Sequence, residues 1–219
     1  MLECISVETN IIPNASVIWM HGLGADGHDF EGIIPELNLP SHLGIRFIFP
    51  NAPVRPVTVM NSSMRAWYDI FHPYLGNEPD LSGILQMAKE IALLVDAEIA
   101  RGIPSHRIVL AGFSQGGVLA LEVGPRYPTR LAGVMALSTY SPTAGLLEKE
   151  ASVVNADLPI FWGHGSIDMV VPEPLMQDAK NAFAQAKYPV EFHLYPRMAH
   201  SVCPAEISDI SQFLQRVLS

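Results

Sequence analysis

The chain has 219 residues, of which 49% are hydrophobic, and a formal net charge of −9 at pH 7. Its 13 lysines and arginines form no basic cluster, which argues against a nucleic-acid-binding surface, and no apolar stretch reaches the roughly 18 residues of a membrane-spanning helix. Because the N-terminus lacks the features of a secretory signal and no repeat or linker divides the chain, we expect one cytoplasmic domain over residues 1–219.

The first buried strand is predicted at residues 16–20, and a glycine-rich loop follows it at residues 21–27. In hydrolases that pass through a tetrahedral intermediate, such a loop supplies a backbone N–H that stabilises the oxyanion. Leu23 is the expected donor in this chain. For the loop taken alone, an ordinary glycine turn is the alternative.

Residues 64–81 combine many large apolar side chains with prolines and a glycine, a pattern that fits neither a regular helix nor a strand. We interpret this segment as a wall or short lid over a groove for acyl chains, and we assign Trp67, Phe71 and Leu75 to substrate binding. Met169 and Val170, further along the chain, are assigned to the same groove. The alternative is a loop that packs into the core.

A helix is predicted at residues 81–101, and a strand at residues 107–111. A Gly-x-Ser-x-Gly motif follows this strand and leads into a predicted helix at residues 116–127. This arrangement is typical of the nucleophile elbow of α/β-hydrolases, in which a sharp turn exposes the serine hydroxyl above the sheet. Ser114 is therefore the candidate nucleophile, and the N–H of Gln115 is the candidate second oxyanion donor. A glycine-rich turn that contains a serine by chance is the alternative.

Two further core strands are predicted at residues 131–137 and 158–163, and a loop that contains Asp168 follows the second. Catalytic groups gather at the carboxyl ends of strands in open α/β sheets, so Asp168 is the candidate orienting acid. Its alternative role is an N-cap of the next helix, which is predicted at residues 174–187.

His200 is the candidate base. It lies in the loop between a strand predicted at residues 190–195 and a final helix predicted at residues 204–218. Of the 8 histidines, only His200 follows both Ser114 and Asp168 beyond a strand end. Ser, Asp, His is the order in which the triad occurs along the chain of an α/β-hydrolase.

The alternation of strands and helices predicts the α/β-hydrolase fold, a mostly parallel central sheet with helices on both faces. Neither the cysteines, Cys4 and Cys203, nor the histidines and carboxylates show the spacing of a metal or redox site, so we expect no metal and no cofactor. A thiol nucleophile at Cys203 is disfavoured because no elbow surrounds it.

Five motifs together resemble the phospholipase/carboxylesterase family, which includes bacterial carboxylesterases and acyl-protein thioesterases. They are His-Gly-Leu-Gly from residue 21, Phe-Pro-Asn-Ala-Pro at 49–53, Met-Arg-Ala-Trp-Tyr-Asp at 64–69, Gly-Phe-Ser-Gln-Gly-Gly at 112–117 and His-Gly-Ser-Ile-Asp-Met-Val-Val-Pro at 164–172. The resemblance implies a triad and an oxyanion hole at the positions already named: Ser114, Asp168, His200, Leu23 and Gln115. Ala199 departs from the glycine that the family usually has before its histidine, which would strain the loop if that position needs a positive φ.

The sequence therefore predicts a serine carboxylesterase that hydrolyses esters of small to medium acyl chains through an acyl-enzyme. An acyl-protein thioesterase or lysophospholipase that acts on longer acyl chains is the alternative within the same chemistry. A hydrolase-like protein that binds a ligand without turnover is the alternative from another class. The expected partner is an ester or thioester substrate, and the candidates include acylated proteins and lysophospholipids. For the oligomeric state, both a monomer and a homodimer remain open.

Overall fold

A computed structural model describes residues 2–10 and 12–219. Its central sheet has seven strands in the order β1-β3-β2-β6-β7-β8-β9, and every neighbouring pair is parallel except β1 and β3. The strands of this sheet are β1 (Cys4–Glu8), β2 (Ala15–Met20), β3 (Ile45–Pro50), β6 (Ile108–Phe113), β7 (Gly133–Leu137), β8 (Ile160–Gly165) and β9 (Val190–Tyr195). A separate antiparallel hairpin consists of β4 (Val54–Val57) and β5 (Ser62–Arg65).

Helices cover both faces of the sheet, which confirms the predicted fold class. The α-helices are α1 (Leu81–Ala100), α2 (Gln115–Arg126), α3 (Leu147–Glu150), α4 (Glu173–Gln185) and α5 (Pro204–Val217). On one face, α1, α2 and α4 pack over residues such as Leu110, and on the other, α5 and a 3-10 segment at Glu31–Leu37 pack over residues such as Val109. Adjacent residues of β6 thus point into different halves of the core, which explains why its sequence is a continuous apolar run.

The structure contains elements that the sequence analysis did not predict. Strands β1 and β3 extend the sheet at one edge, and the β4–β5 hairpin includes the first residues of the irregular segment 64–81. The hairpin strands have four residues each, contain Pro56 and are largely exposed, so they show no clear alternation of apolar and polar residues. No helix in the described ranges is both long enough and apolar enough to cross a bilayer.

A buried carboxyl group connects α5 to the end of β8. The side chain of Glu206 is fully buried, and a Cβ on Gly163 would collide with its Oε1, so a side chain at that position of the strand would displace the carboxyl group. Burial raises the pKa of the Glu206 carboxyl to about 8, and the nearby Asp209 carboxylate adds to the shift. Glu206 is therefore protonated in the folded protein at neutral pH.

We expect this group to make the protein less stable as the pH rises. The folded protein holds the Glu206 proton more tightly than the unfolded chain, so stability is highest below the ordinary pKa of 4.5 and falls as the pH approaches about 8. Between pH 5 and pH 8 the loss from this group should be roughly 3 kcal/mol in the free energy of unfolding. The side chain of Glu206→Gln stays neutral, so this variant should not show that loss of stability.

Urea denaturation of the wild type and of Glu206→Gln at both pH values measures the effect. Glu148→Gln, which changes an exposed glutamate on α3, is the matched control and should keep the pH dependence of the wild type. An identical pH dependence in Glu206→Gln and the wild type would contradict the assignment.

Candidate active site

Ser114 occupies the sharp turn between β6 and α2. Its backbone has φ 54° and ψ −117°, a conformation that L-residues rarely adopt. Two groups from the neighbouring strand end hold it there, because its N–H donates to the carbonyl of Leu137 at 2.9 Å and Thr139 Oγ1 donates to its carbonyl at 2.7 Å. The strained turn that the Gly-x-Ser-x-Gly motif predicts is therefore present, with Ser114 at the N-terminus of α2.

The glycines of the motif are required by close backbone contacts. A Cβ on Gly112 would collide with the carbonyl of Gly116, and a Cβ on Gly116 would collide with the carbonyl of Met20 at the end of β2. Strand β6 and helix α2 can thus approach closely enough to form the elbow only because these two positions carry no side chain. Ser114 is placed directly beside the loop that leaves β2.

His200 and Asp168 form a close pair at the carboxyl end of the sheet. The Nδ1 atom of His200 lies 2.7 Å from Asp168 Oδ2, and the N–H groups of Val170 and Val171 each donate to Asp168 Oδ1 at 2.9 Å. Burial alone would raise the pKa of the Asp168 carboxyl, but these hydrogen bonds outweigh it and hold that pKa below its ordinary value. Asp168 is therefore a carboxylate that fixes the orientation of the imidazole ring.

The structure excludes the helix-cap alternative for Asp168. Helix α4 begins at Glu173, and Pro172 occupies its N-cap position. The Asp168 side chain instead accepts hydrogen bonds from N–H groups within its own loop. The loop thus places this carboxylate toward His200 rather than toward the helix.

The loop of His200 accommodates Ala199 without strain. Within residues 12–219, the positive φ in this loop is at Arg197, with 59°, and not at Ala199. The imidazole of His200 packs on the ring of Phe113 with their centroids 4.6 Å apart, and its side chain keeps an exposed fraction of 17%. Ala199 therefore does not prevent the His200 side chain from facing the cavity described below.

Two other histidines lie near this end of the sheet. His164 is fully buried, and its Nε2 lies 3.0 Å from the carbonyl of Val171 and 3.8 Å from Asp168 Oδ2, while burial lowers its pKa. His193 lies on β9 and pairs with the carboxylates of Glu191 and Asp209. Both side chains belong to the scaffold, which leaves His200 as the base candidate.

Leu23 and Gln115, whose N–H groups were predicted to stabilise an oxyanion, line the same cavity as Ser114. The N–H of Gln115 belongs to the first turn of α2, where a helix has no internal acceptor and carries partial positive charge. The loop of Leu23 is fixed on both sides, since Trp67 Nε1 donates to the carbonyl of His21 at 2.8 Å and Gly24 N donates to the carbonyl of Arg65 at 2.8 Å.

The side chain of Gln115 has a positioning role that the sequence analysis missed. Its Oε1 accepts the N–H of Trp67 at 3.1 Å, and its Nε2 donates to the carbonyl of Tyr68 at 3.0 Å. Gln115 therefore connects the elbow to the 67–68 segment, and Trp67 connects that segment to the loop of Leu23. A glutamine directly after the nucleophile, within an otherwise apolar region, was the available signal.

A cavity of about 560 Å³ opens at Ser114 and His200. Of the residues assigned to substrate binding, Leu75, Met169 and Val170 line it. The structure places the other two, Trp67 and Phe71, outside the lining. Trp67 is fully buried behind the wall, where its indole N–H binds the His21 carbonyl, and Phe71 has an exposed fraction of 47% outside the cavity lining.

Other lining residues come partly from the predicted wall segment 64–81 and partly from regions that had no predicted role. The turn of the β4–β5 hairpin provides apolar side chains, the 67–70 segment and the strand end after β7 provide further ones, and the loop after β2 provides one carboxylate. In chain order these residues are Asp29, Val59, Met60, Tyr68, Ile70 and Tyr140. The wall is therefore mainly apolar, and the polar groups are concentrated near Ser114.

Comparisons with known proteins agree with this architecture. The sequence profile of the phospholipase/carboxylesterase family matches residues 3–218. Acyl-protein thioesterase 1 of Mycosarcoma maydis is 38% identical over 229 residues, which cover 98% of this chain and 95% of that protein. The crystal structure of Arabidopsis thaliana SOBER1 has a TM-score of 0.87 and 31% identity, with 94% of this chain and 99% of that chain covered.

Among the solved structures, Zea mays acyl-protein thioesterase 2 is also similar. Its TM-score is 0.85, its identity is 26%, and the similarity covers 100% of both chains. These similarities run over nearly the full length of each chain, and the range that the family profile matches contains the positions of Ser114, Asp168 and His200. The chain therefore belongs to the phospholipase/carboxylesterase family of α/β-hydrolases and is a carboxylic ester hydrolase.

Proposed function

We propose that the enzyme cleaves esters and thioesters of medium and long acyl chains through Ser114, His200 and Asp168, and that S-acylated proteins are its main substrate class. The observation that carries the proposal is the apolar cavity that begins at Ser114 and His200. Each buried methylene of an acyl chain contributes about 0.8 kcal/mol, so a cavity of this kind favours long chains over acetyl groups. The relatives named acyl-protein thioesterase support the thioester part.

In the first half of the reaction, Ser114 attacks the carbonyl carbon. His200 uses Nδ1 for Asp168, so its Nε2 is the atom that accepts the Ser114 proton. The N–H groups of Leu23 and Gln115 stabilise the negative oxygen of the tetrahedral intermediate. His200 then gives the proton to the departing oxygen or sulfur, and the acyl group stays on Ser114 as an ester.

In the second half, water replaces the alcohol or thiol. His200 accepts a proton from the water as it attacks the acyl-enzyme, and the same N–H groups stabilise the second intermediate. Collapse of that intermediate returns the proton to Ser114 and releases the carboxylic acid. Asp168 stays ionised throughout and stabilises the imidazolium form of His200, in agreement with the lowered pKa of its carboxyl group.

The first prediction concerns the nucleophile. Ser114→Ala should lower kcat by about 10⁴- to 10⁶-fold because the acyl-enzyme can no longer form. A fluorophosphonate should label the wild type at Ser114 alone, as read by mass spectrometry of the digested protein. Cys203→Ser is the matched control for a thiol nucleophile and should retain activity. Labelling at another residue would contradict the assignment.

The second prediction separates the histidines. Asp168→Asn and His200→Ala should each lower kcat by about 10³-fold or more, because the base is misoriented or absent. His193→Ala removes a histidine whose partners, Glu191 and Asp209, lie away from the cavity, and it should keep kcat within about 3-fold of the wild type. Steady-state kinetics on octanoyl thioesters measures both effects, and an active His200→Ala variant would show that another residue is the base.

The third prediction concerns acyl-chain selection. Leu75 lines the cavity and Phe71 does not. Leu75→Ala should therefore reduce kcat/KM about 10-fold for octanoyl and longer chains and much less for acetyl, since only the longer chains reach its side chain. Phe71→Ala should leave the chain-length profile unchanged. The measurement is one series from acetyl to palmitoyl, made once with esters and once with thioesters.

The same series compares the proposal with the narrower expectation of a small-ester carboxylesterase. A maximum of kcat/KM at acetyl or butyryl esters, with little turnover of octanoyl and longer thioesters, would favour that expectation. Equal losses with Leu75→Ala on acetyl and octanoyl substrates would instead assign Leu75 to general stability.

A further inference from the structure

We propose that Asp29 makes the enzyme selective for substrates whose alcohol or thiol half carries a positive charge close to the scissile bond. This inference rests on the proposed function and extends it from the acyl half of the substrate to the leaving half. Its starting observation is that Asp29 is the one carboxylate in the wall of the cavity formed by the described residues.

The position of Asp29 places it beside the leaving half of the substrate. His200 must give its proton to the departing atom, so the leaving half lies along the part of the wall that His200 forms. Phe113 continues this part, with ring centroids 4.6 Å from His200 and 5.7 Å from Phe30. Asp29 directly precedes Phe30 in the chain and lines the same cavity.

The acyl half has a different environment. Val59 and Met60 from the hairpin turn, together with Ile70 and Leu75, form an apolar part of the wall that carries no charge. An acyl chain gains free energy by burial against such side chains, whereas an ammonium group would lose hydration there. The two parts of the wall therefore suit a substrate with one apolar and one cationic half.

No protein cation neutralises Asp29 within the cavity. The part of the wall that the structure describes contains neither lysine nor arginine. His21, the nearby histidine that acts on Asp29, is held neutral, because burial lowers its pKa by more than the hydrogen bond from Nδ1 to the Gly22 carbonyl raises it, and because its Nε2 accepts the N–H of Ala52. A substrate cation would supply the missing positive charge.

A bound cation would also favour the ionised form of Asp29. Partial burial raises the pKa of the Asp29 carboxyl, and the neighbouring Asp26 carboxylate adds to the shift, so both effects disfavour negative charge at this site. A bound cation reverses that balance. The net charge of −9 also draws cationic substrates toward the protein at low ionic strength. S-acylated cysteines in basic peptide segments have the required chemistry.

The test compares two substrates that differ only in charge. S-octanoylthiocholine carries a quaternary ammonium group, and the S-octanoyl thioester of 3,3-dimethylbutane-1-thiol replaces its nitrogen by carbon with nearly the same shape. The quantity measured is the ratio of kcat/KM for the cationic substrate to kcat/KM for the neutral one, in wild type, Asp29→Asn and Asp26→Asn. Asp26→Asn removes the same charge from the same loop, but Asp26 does not line the cavity.

We expect the ratio to be about 10 or more in the wild type and to fall about 10-fold in Asp29→Asn, because only the cationic substrate loses an electrostatic attraction. Asp26→Asn should change the ratio less than about 2-fold. An unchanged ratio in Asp29→Asn, or an equal fall in both variants, would overturn the inference and leave the proposed hydrolase function intact. A wild type that hydrolyses neither substrate would overturn both.

Discussion

The close crossing of β6, α2 and the end of β2 is the constraint on which the rest of the site depends. Because Gly116 lies against the carbonyl of Met20, the elbow and the loop that begins at His21 are fixed side by side. The serine at the turn is then held by the strand end after β7 through the Leu137 carbonyl. A strained residue persists only when its surroundings determine its conformation in this way, and here three neighbouring strands do so.

Gln115 extends this constraint to the substrate cavity. Its backbone begins α2, while its side chain holds both the N–H of Trp67 and the carbonyl of Tyr68. Trp67 in turn holds the carbonyl of His21, at the start of the loop that contains Leu23. One residue therefore couples the elbow, the loop of Leu23 and one cavity wall, so we expect a change at Trp67 to act on the site through the position of this loop rather than through substrate contact.

The sequence predicted the parts of the site that depend on order along the chain. Ser114, Asp168 and His200 follow strands whose carboxyl ends meet at one edge, so their strand-end positions suffice to bring them to one region. The cavity wall was only partly predictable, because composition gives the apolar character of residues 64–81 but not which side chains turn inward. Trp67 and Phe71 are as apolar as Leu75, yet the backbone conformation of an irregular segment places one in the core and the other in solvent.

One buried acidic group links the pH to the geometry of the site. The fold needs a protonated carboxyl at Glu206, whose pKa of about 8 makes alkaline conditions costly. Because Glu206 lies in the first turn of the helix that follows the His200 loop and touches the strand that leads to Asp168, its ionisation would disturb the two segments that carry Asp168 and His200. Alkaline conditions are therefore expected to act on the site through the scaffold behind it.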